Sequence, residues 1–310
     1  MDKNYDYGTF VEELRKGIIR ETGCKEEEIY FVEKGAYPAI EDGCLFWALA
    51  KEGEVEDIFA IRTKEIYENY QGNIPMEKIV RESIQTAEHV KKSGIFDQAV
   101  KISDYEKAKD LLILRLRNKE QEGEKLDHAI YWSVGDIAIT LYLCLGVLDG
   151  RKVTMRVDKE WINNWGKTEE VVVSKAMENM LQFTPPRVYN FWKLIYDIKY
   201  EGEDFMDTSR DYQMDDSPTG NCLSTTIRTN GAAIVFVPAV AKRIYQLMGN
   251  GFYLVFTSIH EVMIHNDSTV EAEKLQKILE KTMEIATPEE DQLSSHIYHY
   301  DEKDGFAVAI

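Results

Sequence analysis

The chain is poor in the residues and runs that announce chemistry. It has 4 cysteines, Cys24, Cys44, Cys144 and Cys222, and no two form a C-x-x-C pair. A structural zinc site is therefore not expected, and unpatterned thiols suit a reducing compartment. No apolar run reaches bilayer length. The longest, Ile137 to Leu148 with Cys144 inside it, is too short to span and its β-branched content predicts a buried strand. The opening residues Met-Asp-Lys-Asn-Tyr-Asp carry neither a basic stretch nor an apolar one, which predicts no secretory signal and a cytoplasmic location. There is no Gly-x-Ser-x-Gly elbow, no Walker loop and no Gly-x-Gly-x-x-Gly fingerprint, and no cofactor is expected.

Positive charge is also scarce. Lys and Arg number 37 against 55 Asp and Glu, a formal charge of −18. Such a field repels phosphate backbones, so direct nucleic-acid binding is not expected without a basic stripe. The densest basic stretch, Arg115, Arg117 and Lys119, falls at the end of a predicted helix, where cations complement the helix dipole. An acidic surface solubilises the chain, and it can also dock a basic protein.

What is present is the composition of a mixed globular fold. Aromatic residues make up 11% of the chain, enough apolar surface to exclude disorder. Thr9 and Glu12 have the spacing of a capping box ahead of Phe10, Val11, Leu14 and Ile18, which predicts a helix ending at Gly23. Strand-like runs follow at 28–33, 43–50 and 57–62, then helices near 64–71 and 75–93. A second unit repeats that order. Ser103 and Glu106 form its box, Leu111, Leu112, Leu114 and Leu116 its helix; strands are expected at 129–133, 136–146 and 151–157, and helices near 159–166 and 168–182. At offsets of 94 or 95 residues Thr9 matches Ser103, Glu12 Glu106, Lys64 Lys159, Glu65 Glu160 and Asn69 Asn164, with Gly72 against Gly166 after a gap. This predicts a tandem α-β-β-β-α-α duplication with antiparallel sheets covered by helices, plus a related C-terminal α+β unit. The expected units are residues 1–96, 97–200 and 201–310.

The third begins with an acidic stretch, Asp197 to Asp216, expected to be a solvated loop. It lacks calcium-loop spacing. Strands near 222–228 and 232–237, a helix at 238–248, strands near 252–256 and 260–265, a helix capped by Ser268 and Glu271, and strands near 296–300 and 305–309 complete it.

His260-Glu-Val-Met-Ile-His265 resembles the zinc-protease pattern but is one residue too long, since the second ligand on a helix would fall at Ile264. Val262 and Ile264 alternate, so a strand is expected. Glu261 and His265 would then lie about 13 Å apart on one face. Ser258 and His260 would share the other face without touching. His296 and His299 would face opposite ways, while His296, Tyr298 and Tyr300 would make an aromatic and polar face. Ser258, His260, Glu261, His296 and Tyr298 are the candidate functional surface; no catalytic residue and no metal ligand is assigned. Trp161, Trp165 and Trp192, with Tyr67 and Tyr70, are expected to pack in cores rather than form a ligand platform.

Three segments, Gly231-Ala-Ala-Ile-Val-Phe-Val-Pro238, Phe252-Tyr-Leu-Val-Phe-Thr-Ser-Ile-His-Glu-Val-Met-Ile264 and Ala286-Thr-Pro-Glu-Glu-Asp-Gln-Leu-Ser-Ser-His-Ile-Tyr-His-Tyr-Asp301, resemble one bacterial family classed as a domain of unknown function. The resemblance runs over most of the chain and is clearest in the last third. It departs at Phe256 and Thr257, where the family pattern carries a proline. It implies a bacterial, intracellular protein of Gram-positive gut bacteria, often encoded near mobile elements, and it brings no activity, cofactor or catalytic residue. The expected function is a non-enzymatic binding protein, in its sharper form an acidic inhibitor or accessory factor acting on a basic or nucleic-acid-binding protein. The alternative is a hydrolase with dispersed His and carboxylate residues.

Overall fold

The computed structural model describes residues 5–33, 43–52, 55–70, 74–148, 151–190, 193, 196, 197 and 199–310. The first helix, α1 (Tyr7–Thr22), starts two residues before the expected cap. Asp6, not Thr9, is the N-cap: its carboxylate accepts from the Thr9 N–H at 2.8 Å. Phe10, Val11, Leu14 and Ile18 form the buried stripe, and Gly23 ends the helix in the left-handed conformation at φ 70°. Strands β1 (Ile29–Val32), β2 (Cys44–Glu52) and β3 (Val55–Arg62) make an antiparallel sheet in that order. Helices α2 (Thr63–Tyr70) and α3 (Met76–Lys92) complete a core containing Trp47, Tyr70, Ile79 and Val80.

After α4 (Ile95–Lys101), the expected helix with its Leu111–Leu116 stripe is corrected. Only Tyr105–Ala108 (α5) is a full α-helical turn there, capped by Asp104 rather than Ser103. Leu112–Asn118 is a strand, β4, with Leu112, Leu114 and Leu116 buried and the residues between them half-buried. The basic residues Arg115 and Arg117 therefore sit on its opposite face rather than at a helix end, over the ring of Tyr142 at 5.2 and 5.7 Å. Following α6 (Lys119–Glu122) come β5 (Tyr131–Val134), β6 (Ile137–Leu148), β7 (Arg151–Arg156), α7 (Lys159–Trp165) and α8 (Glu169–Phe183). β6 is the buried strand expected. β4 pairs along it, and Leu141 uses its N–H on Ile130 and its carbonyl on Val157, so β5 and β7 share its other side end to end. The strands expected at 129–133, 136–146 and 151–157 correspond to β5, β6 and β7, and the helices expected after them to α7 and α8, while β4 and α6 precede them. Gly72 of the expected repeat lies outside the described residues.

The remaining strands, β8 (Pro186–Tyr189), β9 (Asn221–Thr225), β10 (Phe252–Val255), β11 (Val262–Asn266), β12 (Ile297–Asp301) and β13 (Gly305–Val308), form a six-stranded antiparallel sheet in the order β13-β12-β10-β11-β9-β8. Helices α9 (Pro238–Met248) and α10 (Ala272–Ile285) accompany it. The expected strand at 232–237 is a fully buried 3-10 turn, Gly231–Phe236. The Ser268 cap is also corrected. α10 starts at Ala272, and the Ser268 hydroxyl donates to Asn266 at 2.7 Å instead.

The acidic stretch keeps Asp197, Glu201, Asp211, Asp215 and Asp216 exposed, as expected of a solvated loop, but is pinned to the fold at a few points. Phe205 and Met214 are buried in the main core, the Arg243 side chain donates to the Phe205 carbonyl at 3.0 Å, and Glu203 exchanges backbone hydrogen bonds with Val188 on edge strand β8. Burying a phenyl ring of this size stabilises by about 2–3 kcal/mol, which offsets the ordering of only one or two residues of the segment. The chain divides into two compact units, Met1–Val100 with Gly146–Arg151, and Lys101–Leu145 with Lys152–Ile310. Fold class is as expected, mixed α+β with antiparallel sheets and helices.

Candidate functional site

The second unit contains a cavity of about 700 Å³ on the outer face of β8, β9 and β11. Period-2 alternation builds its floor: Leu223 and its register neighbours Val188 and Val262 turn inward and are buried, so Tyr189, Cys222 and Met263 turn outward. The acidic segment supplies one wall through Tyr200, Glu203, Tyr212 and Asp215, and the C-terminal end of α10 supplies another through Thr282 and Ala286. Tyr189 and Tyr200 meet edge to face at 5.9 Å. Burial raises the phenols of Tyr189 and Tyr200, and pushes Tyr212 up to about 12.

Charges in the cavity are arranged unevenly. The Lys193 ammonium pairs with Glu203 at 2.9 Å, which raises the lysine and lowers the carboxyl. Arg228 lies 5.8 Å over the Tyr189 ring, and its guanidinium has no hydrogen-bond or ion-pair partner among the described residues. Its backbone is left-handed, φ 52°, as is that of Asn230. Glu261 accepts from Thr257 at 3.1 Å and from Ser258 at 2.7 Å, with no cation partner among the described residues.

The segment carrying Ser258, His260 and Glu261 is a tight turn, not the expected strand; β11 begins at Val262. The turn brings the three together. The His260 backbone N–H donates to Ser258 Oγ at 2.9 Å. His260 faces away from Glu261 into a polar chain. Its Nδ1 accepts from the Asn230 N–H at 3.0 Å, its Nε2 lies 3.3 Å from Asp291, and Arg115 donates to the Asn230 side chain at 3.1 Å. An accepting Nδ1 fixes the proton of the neutral ring on Nε2, so both nitrogens are committed. Ser224 Oγ and the Gly231 N–H both donate to the His260 carbonyl, at 2.7 and 3.1 Å. This chain of contacts holds the Arg228 turn and the Glu261 turn to one framework.

His296 and Tyr298 lie elsewhere. Tyr298 is 1% exposed and donates to Asp136, which also accepts from Ser294 at 2.7 Å. His296 is exposed, with Nδ1 3.3 Å from the Ile310 carbonyl. The expected aromatic and polar face of His296, Tyr298 and Tyr300 is therefore not one open surface. His265 is buried away from His260, and burial pushes it down to about 4 against a smaller pull from the Pro218 carbonyl. The Cys222 thiol is pushed up to about 12 by burial, with Glu261 adding to the shift, so it stays protonated and unreactive. Among the described residues no group of three or more His, Cys, Asp or Glu is placed to hold a metal ion, and no helix is long and apolar enough to cross a membrane. Trp161 and Trp165 pack together at 6.0 Å, with the Trp165 indole donating to the Ile102 carbonyl at 2.9 Å; Tyr67 and Tyr70 belong to the first unit's core. Trp192 lies outside the described residues.

Glu261 was legible in the sequence through the His260-Glu-Val-Met-Ile-His265 pattern. Tyr189, Tyr200, Tyr212 and Arg228 were not, because they come from three separate segments with no spacing in common. The only local cue was Arg228 just ahead of the turn-forming Asn230-Gly231 pair.

Fold and cavity together define an α+β protein whose second unit carries a ligand-sized, tyrosine-walled cavity on an antiparallel sheet. The chain belongs to the family of unknown function DUF5688, whose model matches residues 46–302. No curated protein and no solved structure matches it.

Proposed function

We propose that this chain is a binding protein that holds a small ligand in the cavity on β8, β9 and β11. The observation that carries the reading is an unpaired Arg228 and an unpaired Glu261 at a cavity of about 700 Å³ walled by three tyrosines. That volume is typical of sites for small organic molecules, and an exposed guanidinium and a half-buried carboxylate at its lining offer charges that a ligand can meet. The state of the reactive residues supports binding over hydrolysis. His260 has no free nitrogen to activate a nucleophile, and Cys222 is held as a thiol.

A thermal-shift screen against a chemically mixed set of small metabolites tests this. At least one compound is expected to raise the melting temperature of the wild type. The rise should vanish in Met263→Trp, which fills the floor, and shrink in Tyr200→Ala, which removes a wall. If no compound stabilises the wild type, or if Met263→Trp responds equally, the reading fails. The charge of −18 supports a second reading, in which the acidic surface docks a basic protein partner.

A further inference from the structure

Resting on the cavity reading, we propose that the ligand is a short zwitterionic peptide of about three residues, its carboxylate on Arg228 and its amine on Glu261. Three observations carry this.

The first is charge pairing. Among the described residues, the other cavity cation, Lys193, is already bound to Glu203, and Arg187 close by is bound to Asp204 at 3.3 Å. Arg228 alone offers an open guanidinium fork, the geometry suited to a carboxylate. Its left-handed backbone is a costly conformation for an arginine, and the surrounding turn holds it there. Arg228 is exposed, so its fork is open to an anion arriving from solvent.

The second concerns the opposite pole. Glu261 receives two hydroxyl hydrogen bonds but no positive charge. The C-terminal end of the 14-residue helix α10 lies beside it: Thr282, Ala286 and Thr287 line the same cavity, and the Thr287 hydroxyl donates to the Thr257 carbonyl at 3.0 Å. A helix C-terminus carries partial negative charge, so carboxylate and helix end both favour a cation at this pole.

The third is span. The Arg228 guanidinium lies over Tyr189 on β8, while Glu261 leads into β11, and β9 runs between those strands. The strands beside the two poles, β8 and β11, are two strand spacings apart, about 10 Å. An extended peptide advances about 3.3–3.6 Å per residue, so three residues set a free amine and a free carboxylate at that separation. Tyr189, Tyr200 and Met263 would face the middle of the peptide, offering aromatic and apolar contact to its side chains.

The test uses the full chain and the tripeptide Ala-Phe-Ala by calorimetry, with free ends, with an acetylated N-terminus, and with an amidated C-terminus. The free peptide should bind, and each blocked form should bind about tenfold more weakly, the worth of one charge-assisted hydrogen bond. Arg228→Gln should erase the penalty of amidation and leave that of acetylation; Glu261→Gln, which keeps an acceptor for Ser258, should do the reverse. Circular dichroism melts confirm that both variants fold. Failure of the free peptide to bind, or equal binding of all three forms, overturns the zwitterion assignment. Such a result leaves the cavity reading standing if the metabolite screen returns a ligand blocked by Met263→Trp, so the two failures are told apart.

Discussion

Burial pushes His265 down to about 4 from an ordinary 6.5, and its Nδ1 has no hydrogen-bond partner. The shift is downward, so the folded chain holds this proton less tightly than the unfolded one. Stability is therefore full above about pH 6.5 and falls as the pH drops toward 4. The shift corresponds to about 3 kcal/mol at most. Urea unfolding at a series of pH values should show this loss in the wild type and a flatter profile in His265→Gln; parallel profiles would remove His265 as the cause. His260, five positions earlier, bonds through both nitrogens, one to a backbone N–H and one to a carboxylate, so it anchors the two turns at the cavity rim. Two imidazoles in one short segment thus have opposite environments, which their shared sequence pattern did not distinguish.

At the scale of elements, the close approach at Gly231 decides whether the cavity rim assembles. A Cβ there would meet the Ser224 hydroxyl and lie 2.8 Å from the His260 carbonyl, both fixed by hydrogen bonds. Gly231→Ala should cost about 2–3 kcal/mol by overpacking. Gly249→Ala, where φ is 76° and nothing lies within 4 Å, should cost about 1 kcal/mol by backbone strain alone. Equal unfolding midpoints for the two variants would contradict this ordering.

The elements also show where sequence reading succeeds. β6 was legible because its continuous apolar run is buried on both faces, whereas β4 was misread because a nearby capping-box spacing outweighed the period-2 alternation of Leu112, Leu114 and Leu116. Gly231–Phe236 was misread because an apolar stretch buried on every side has no periodicity to betray its type. The turn at 257–261 escaped because the Ser258 and Glu261 side chains, rather than a glycine or proline, stabilise it.

The whole molecule carries −18, the observation behind the second reading proposed above, in which the acidic surface docks a basic protein. Its contribution would be electrostatic and therefore screened. In a pull-down from lysate, a basic partner should be retained at low ionic strength and lost as the Debye length falls from about 30 Å at 0.01 M to about 3 Å at 1 M salt. Absence of any salt-sensitive partner would leave the charge with a solubilising role.

The segment that walls the cavity also covers the outer edge of the large sheet, because Glu203 takes both backbone bonds of Val188 on β8. An uncovered strand edge is a template on which another chain can add. Access for a guest and protection against self-association are thereby tied to one stretch of chain. Peeling that stretch back far enough to admit a bulky molecule would also unmask β8, so selection on this segment for admission is constrained by the need to keep the protein from aggregating.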